Sequence, residues 1–268
     1  MNKKLYIVAF FLVIIGVIGA AFSAKDFFSK EPIDGDVHIA SAEIEHIMVD
    51  SQVANVRIIQ SASDDIEVEW EGTLLKSALD SGNVSVEEEG TTLWVGTEED
   101  SLFDFVSFGF NFNPLEITIH LPEKQFTSIV VDNDVGNTYV SSVDTERLHV
   151  ESDVSDVETA SVNADLLEVE SDVGSIYLKD SNGKLFAKSN VGDITIDIDE
   201  IKHDMEIISD VGDIVITTST IPSNVSFNGN SSVGSVTMFG KDGSFINKQA
   251  EYMVQIRNDV GDIDIMAR

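Results

Sequence analysis

From Ser128 to Ile265 apolar and polar residues alternate in short runs, and each run breaks at or near a glycine. SIVVDNDVGNTYV, RLHVESDVSDVET, LLEVESDVGSIYL, KLFAKSNVGDITI, DMEIISDVGDIVI, NVSFNGNSSVGSVTM and YMVQIRNDVGDIDI are successive copies of one pattern. Period two means a strand with one buried face. In the third copy Leu167, Val169, Ser171 and Val173 share a face, the phase slips at Gly174, and Ile176 and Leu178 resume it. A glycine at the slip supplies a bend that a β-branched residue resists. Each copy therefore predicts two short strands joined at a corner. The corner falls at Gly136, Ser155, Gly174, Gly192, Gly212, Gly234 and Gly261, at intervals of 19, 19, 18, 20, 22 and 27 residues.

Aligned copies stack like on like. Val135, Val154, Val173, Val191, Val211, Val233 and Val260 form a column that the alternation assigns to the core. Ile176, Ile194, Ile214 and Ile263, with Thr138, Val157 and Val236, form a second. Between them Asn133, Ser152, Ser171, Ser189, Ser209, Ser231 and Asn258 are small and polar at a position that also faces inward. Buried polar groups need partners, and coils about 4.8 Å apart offer one another or the backbone of the bend; plain turn-forming is the other reading of these residues.

Repetition at a fixed point of each turn predicts an all-β, single-domain parallel β-solenoid, right-handed by the rule for parallel crossovers. Residues 123–268 are its regular coils. Residues 37–122 are less regular and are assigned to the same domain as its N-terminal coils and cap: HIMVDSQVANVRII (His46–Ile59) carries Ala54 at the glycine position, and Ile66–Trp70, Val84–Val86 and Leu93–Val95 read as strands. Nothing in the sequence caps the last repeat, Ile263–Arg268, so self-association or a partner is expected at that edge.

The chain opens differently. Leu5–Phe22 is an uncharged run of 18 residues behind Lys3 and Lys4, roughly 27 Å as a helix and long enough to span a bilayer core. Residues 1–24 are read as a single-pass membrane anchor, residues 25–36 as a linker, and the remainder as extracytoplasmic. The rival is a cleaved signal peptide ending at Gly19-Ala20-Ala21, which gives a secreted protein. With no cysteine in 268 residues, a lipid-anchored lipoprotein, disulfides, thiolate metal sites and a cysteine nucleophile are excluded. The net charge of −32 excludes a nucleic-acid partner, because binding a polyanion needs clustered Lys and Arg.

Three kinds of candidate chemistry remain. Asp134, Asp153, Asp172, Asp210 and Asp259 precede the valine column, and Asp193, Asp213 and Asp262 follow the glycine. Stacked aspartates either splay into solvent as turn formers or, at Asp193, Asp213 and Asp262, ligate calcium. Phe103, Phe105, Phe108, Phe110 and Phe112 lie in LFDFVSFGFNFNP and are read either as buried strand faces or as a loop that contacts a partner or membrane. His38, His46, His120, His149 and His203 are scattered, without HExxH, Gly-x-Ser-x-Gly or a phosphate-cradling glycine loop. No cofactor and no catalytic residue is expected, although abundant carboxylates leave a polysaccharide-active β-helix enzyme open as an alternative. A purely structural surface spacer is the other.

LEITIHLPEKQFTSIVVDNDVGNTYV (Leu115–Val140), followed by iterated S-D-V-G-D-I-x-I, resembles the putative-adhesin family of bacterial envelope proteins, over roughly Val37–Arg268. The Leu121-Pro122 junction and the Gly192-Asp193, Gly212-Asp213 and Gly261-Asp262 turns carry the resemblance. With its N-terminal apolar segment the chain is similar to LiaG-type proteins, which accompany an envelope-stress system of Gram-positive bacteria. The resemblance implies a surface β-solenoid that acts through contacts with an envelope protein or glycan, and it brings no catalytic residues with it.

Overall fold

The computed structural model describes residues 30–75, 84–97 and 115–268. In the amino-terminal part lie β1 (Lys30–Ile39), β2 (His46–Gln60), β3 (Ile66–Leu75), β4 (Val84–Glu89), β5 (Thr92–Thr97) and β6 (Leu115–Leu121). Regular coils then pair a long strand with a short one. These are β7 (Gln125–Val135) with β8 (Thr138–Ser141), β9 (Asp144–Val154) with β10 (Val157–Ala160), and β11 (Asn163–Val173) with β12 (Ile176–Lys179). Next come β13 (Asn182–Val191) with β14 (Ile194–Ile198), and β15 (Met205–Val211) with β16 (Ile214–Thr218). The chain closes with β17 (Val225–Val233), β18 (Val236–Met238), β19 (Lys241–Asp242), β20 (Tyr252–Val260) and β21 (Ile263–Ala267).

Long strands stack on long strands and short on short, parallel and in register. One ladder aligns Asn133, Ser152, Ser171, Ser189, Ser209, Asn258 and Ser231. The other aligns Thr138, Val157, Ile176, Ile194, Ile214, Ile263 and Val236. Between the ladders runs a continuous aliphatic core, to which the third copy contributes Leu167, Val169, Ile176 and Leu178. Each such buried side chain contributes about 1.5–3 kcal/mol.

The serine column is inside, as the alternation predicts, with Ser231 half-buried on the end coil, and several of its members bond to the corner backbone of the adjacent coil. Ser189 Oγ donates to the Gly174 carbonyl at 3.2 Å, Ser231 Oγ to Gly261 at 2.8 Å and Asn258 Nδ2 to Gly212 at 2.8 Å. Ser209 Oγ is buried with no partner. Ser189→Ala is therefore expected to cost about 1 kcal/mol, whereas Ser209→Ala removes an unpaired hydroxyl and is neutral or slightly stabilising. Urea melts of the two variants check this; equal losses would contradict it.

The valine column corrects the expectation. Val154, Val173, Val191, Val211, Val233 and Val260 are 45–65% exposed, and Val135 is half-buried. From buried Ser171 to buried Ile176 the backbone spends four residues rounding the corner, so the slip begins before the valine and not at the glycine. At the glycine the chain passes against the carbonyl of the neighbouring coil, as a Cβ on Gly212 would lie 2.1 Å from the Gly192 oxygen. Backbone and serine fill the inner side of the corner, and the valine is left outside as a ridge along it.

The order of coils is the second correction. β20 pairs with β15 on one side and β17 on the other, and β21 with β16 and β18. The last repeat in sequence therefore lies between the two that precede it, and Ile263–Arg268 is not the open edge. The true end is the coil of β17 and β18. It carries Gly229 where its neighbour has Ile256, the hairpin of β18 with β19, and an edge-to-face cluster of Phe227, Phe239 and Phe245 at centroid distances of 5.2–6.2 Å.

The amino-terminal end repeats the device. His46–Ile59 forms a coil, as expected, but β2 is inserted: its first half lies between β5 and β7, and its second half between β6 and β8. Antiparallel β1–β3–β6 and β4–β5 complete that end. Pro32, Asp34 and Asp36 on β1, and Glu87–Glu89 on β4, blunt the edge strands against further pairing.

Candidate functional site

The aspartates after the glycines have a structural task. Asp193 Oδ1 accepts the backbone N–H of Asp213 at 2.8 Å, Asp213 Oδ1 that of Asp262 at 2.8 Å, and Asp262 Oδ1 that of Ser235 at 2.7 Å. Asn55, Asn137 and Asp156 do the same in the earlier coils. Each carboxylate proposed as a calcium ligand thus has one oxygen committed to the next coil. Among the described residues no group of three or more histidine or acidic side chains is arranged to hold a metal ion.

Ser235, through its backbone N–H and its hydroxyl, holds the Asp262 carboxyl below the usual aspartate range. Its contribution to stability is present above the ordinary aspartate value and is lost as pH falls through the depressed one.

The corner glycines Gly136, Gly174, Gly192, Gly212, Gly234 and Gly261 all stand at corners, each with positive φ. Phe103, Phe105, Phe108, Phe110 and Phe112 lie outside the described residues, as does the apolar segment Leu5–Phe22. Among the described residues no helix is long and apolar enough to cross a membrane.

Two features of the outer face of the long strands go beyond the residues singled out in the sequence. The first is a carboxylate column in which Asp50, Asp132, Glu151 and Glu170 stand side by side on successive coils, with Asp134 and Asp153 beside them. Asp132 lies on the exposed face; partial desolvation first, then Glu151, Asp50 and Asp153, push its carboxyl above its usual range, with His149 opposing. Asp134 is raised by burial, then by Asp153, Asp132 and Asp50. A raised carboxyl penalises the folded state while it is ionised, and the penalty is relieved as pH falls through the raised value. Asp132→Asn is therefore expected to stabilise the protein near pH 7, with the gain vanishing below the ordinary aspartate range; urea melts at stepped pH measure it. A gain that persists in acid would show that charge is not the cause.

The second is an open groove of about 1080 Å3 towards the carboxy-terminal end. Its floor is one transverse row in which Glu168, Phe186, Glu206, Gln255 and Asn228 are register partners on β11, β13, β15, β20 and β17. The segment Ile246–Tyr252 borders it, anchored where the Asn247 N–H meets Ser226 Oγ at 3.3 Å and the Glu251 N–H meets the Asn224 carbonyl at 2.8 Å. Tyr252 donates its hydroxyl to Glu251 Oε1 at 3.0 Å, and Arg147 engages Glu168 Oε2 through Nε and Nη2 at 2.8 and 2.6 Å.

The sequence does not display the row, because its members differ from coil to coil and because Gln255 joins it only through the out-of-order insertion of β20. Aligning the coils on their serine column and reading the outward position three residues earlier exposes Glu168, Phe186 and Glu206.

Residues 44–266 match the family model described as Toastrack DUF4097. No curated protein matches the chain. Among solved structures, a putative adhesin from Bacteroides fragilis is 19% identical, with 89% of this chain and 99% of that chain covered and a TM-score of 0.50. A putative cell adhesion protein from Clostridium sporogenes is 15% identical over 89% of this chain and 100% of its own, with a TM-score of 0.43. A putative adhesin from Parabacteroides distasonis is 14% identical over 89% and 94%, also at 0.43. At 19% identity the likeness to the Bacteroides fragilis structure is one of fold alone. The match over 44–266, which takes in both the inserted coil of β2 and that of β20 and β21, places the chain in the Toastrack DUF4097 family.

Proposed function

We propose that this protein is a non-catalytic binding module of the bacterial envelope, held at the membrane by residues 1–24 and presenting its coils outside the cell as an accessory to surface interaction or envelope-stress response. The observation that carries this reading is the groove whose floor crosses five successive coils. A site that long and open suits an extended partner, since stacked repeats present one surface over many coils. A solved structure that it resembles in fold is called a putative adhesin, in keeping with a surface role.

The test is co-sedimentation of the purified full-length chain with isolated cell-wall material and with intact envelopes. Retention without change in the glycan supports the reading, and failure to be retained by either overturns it.

A glycan-cleaving enzyme is the second reading, because Glu168 and Glu206 lie in one row two coils apart, near the carboxylate spacing of inverting hydrolases. Against it, Glu168 Oε2 is already engaged by Arg147. Soluble reducing ends released in the same incubation would favour the enzyme.

A further inference from the structure

We infer that the groove over β11, β13, β15, β20 and β17 binds an extended β-1,4-linked amino-sugar chain, neutral or partly de-N-acetylated, with Phe186 as the stacking platform. The inference rests on the binding reading above and names the ligand class. Phe186 is half-exposed as the second member of the five-residue floor, with Glu168 on one side and Glu206, Gln255 and Asn228 on the other. An aromatic face flanked by planar hydrogen-bonding groups suits a pyranose ring, whose C–H face lies on the aromatic while its hydroxyl and amide edges reach the carboxylates and amides. Tyr252 adds a second ring at the border.

The spacing fits a chain and not a single sugar. Coils repeat at about 4.8 Å, so Glu168 and Glu206, two coils apart, are separated by about 9.6 Å along the axis, close to the two-residue repeat of an extended β-1,4-linked glycan. Phe186 falls between them, where one sugar ring of that repeat would rest.

Charge selects among glycans. Glu168, which is paired with Arg147, and Asp204, Glu206 and Glu251 outnumber Lys184 and Lys248 in the lining, and the whole chain carries −32. Uronic-acid and phosphate-bearing polymers are repelled, neutral N-acetylated chains are accepted, and free amino groups add attraction that salt weakens.

The experiment titrates the full-length chain with chitohexaose, with its fully de-N-acetylated counterpart, and with a galacturonate hexamer as the anionic control. Both amino-sugar probes are expected to bind, the deacetylated one about tenfold more tightly at low salt and without that advantage at high salt. Phe186→Ala is expected to weaken both at least tenfold, and Glu206→Gln to weaken chiefly the deacetylated probe, with thermal melts unchanged because both side chains lie on the outer face. Equal binding by wild type and both variants, or a preference for the galacturonate, overturns the inference. If the chain sediments with cell walls but binds neither amino-sugar probe, the ligand class is wrong and the binding reading stands; if it does neither, both fall.

Discussion

Gly212→Val is expected to lose about 3–5 kcal/mol and on the order of 10 °C in melting temperature, the largest effect of any single substitution considered. Two causes act together. The residue holds φ at +150°, where side chains are strained, and a Cβ there would stand 2.1 Å from the Gly192 carbonyl oxygen and 2.5 Å from its carbon. Those atoms are backbone in a ladder bonded on both edges, so the clash cannot be relieved by turning a side chain. Gly240 is the control. It also has positive φ, at +73°, but nothing lies within 4 Å of a Cβ there, so Gly240→Asn is expected to change stability by less than about 1 kcal/mol. Thermal and urea melts of the two variants decide it, and comparable losses would mean that close approach of successive coils is not what demands glycine at the corner.

Ending the chain at Lys248 is expected to abolish cooperative unfolding or to lower the melting temperature by at least about 20 °C. Trimming the frayed last turn of an ordinary repeat array would do far less. The removed segment buries Val254, Ile256, Ile263 and Ile265, together about 6–12 kcal/mol, comparable to the entire stability of a typical domain. It also leaves β15 and β16 separated from β17 and β18 by an empty slot. The connection across that slot, residues 219–224, is as long as the one at 199–204, which joins two adjacent coils, so the end coil can close the gap, but the lost burial is not recovered. Hydrogen exchange on the intact chain gives an independent check: amides of β20 should exchange as slowly as those of β13, and those of β18 and β19 faster. A truncated chain that melts like the parent would refute the inserted arrangement.

The solenoid and its register were legible without coordinates because repetition forces equivalent residues into one ladder. Ile176, Ile194, Ile214 and Ile263 could occupy the same place in successive coils only if those coils were stacked. Burial of the serine column was legible too, since alternation placed it indoors and the bend offered carbonyls. The valine ridge was misassigned because a pattern of period two cannot say whether a corner takes two residues or four. That depends on how close the backbone of one coil comes to the next, a distance absent from any single copy. Of the groove, Glu168, Phe186 and Glu206 were in plain view but had no reason to be joined before the outer faces were aligned.

What the sequence by itself determined, then, is the coil: its two strands, its glycine corner, its inner serine and aliphatic rows, and its acidic exterior. Only the tertiary structure decided the order of the coils. Every repeat presents the same kind of parallel edge and the same inner columns, and the six-residue link 219–224 that reaches past a slot is no longer than 199–204, which joins adjacent coils, so local preference does not choose between stacking in sequence and inserting the last coil. The difference lies at the end of the stack, where Phe227, Phe239 and Phe245 seal a terminus that β20 and β21, regular on both edges, would have left open.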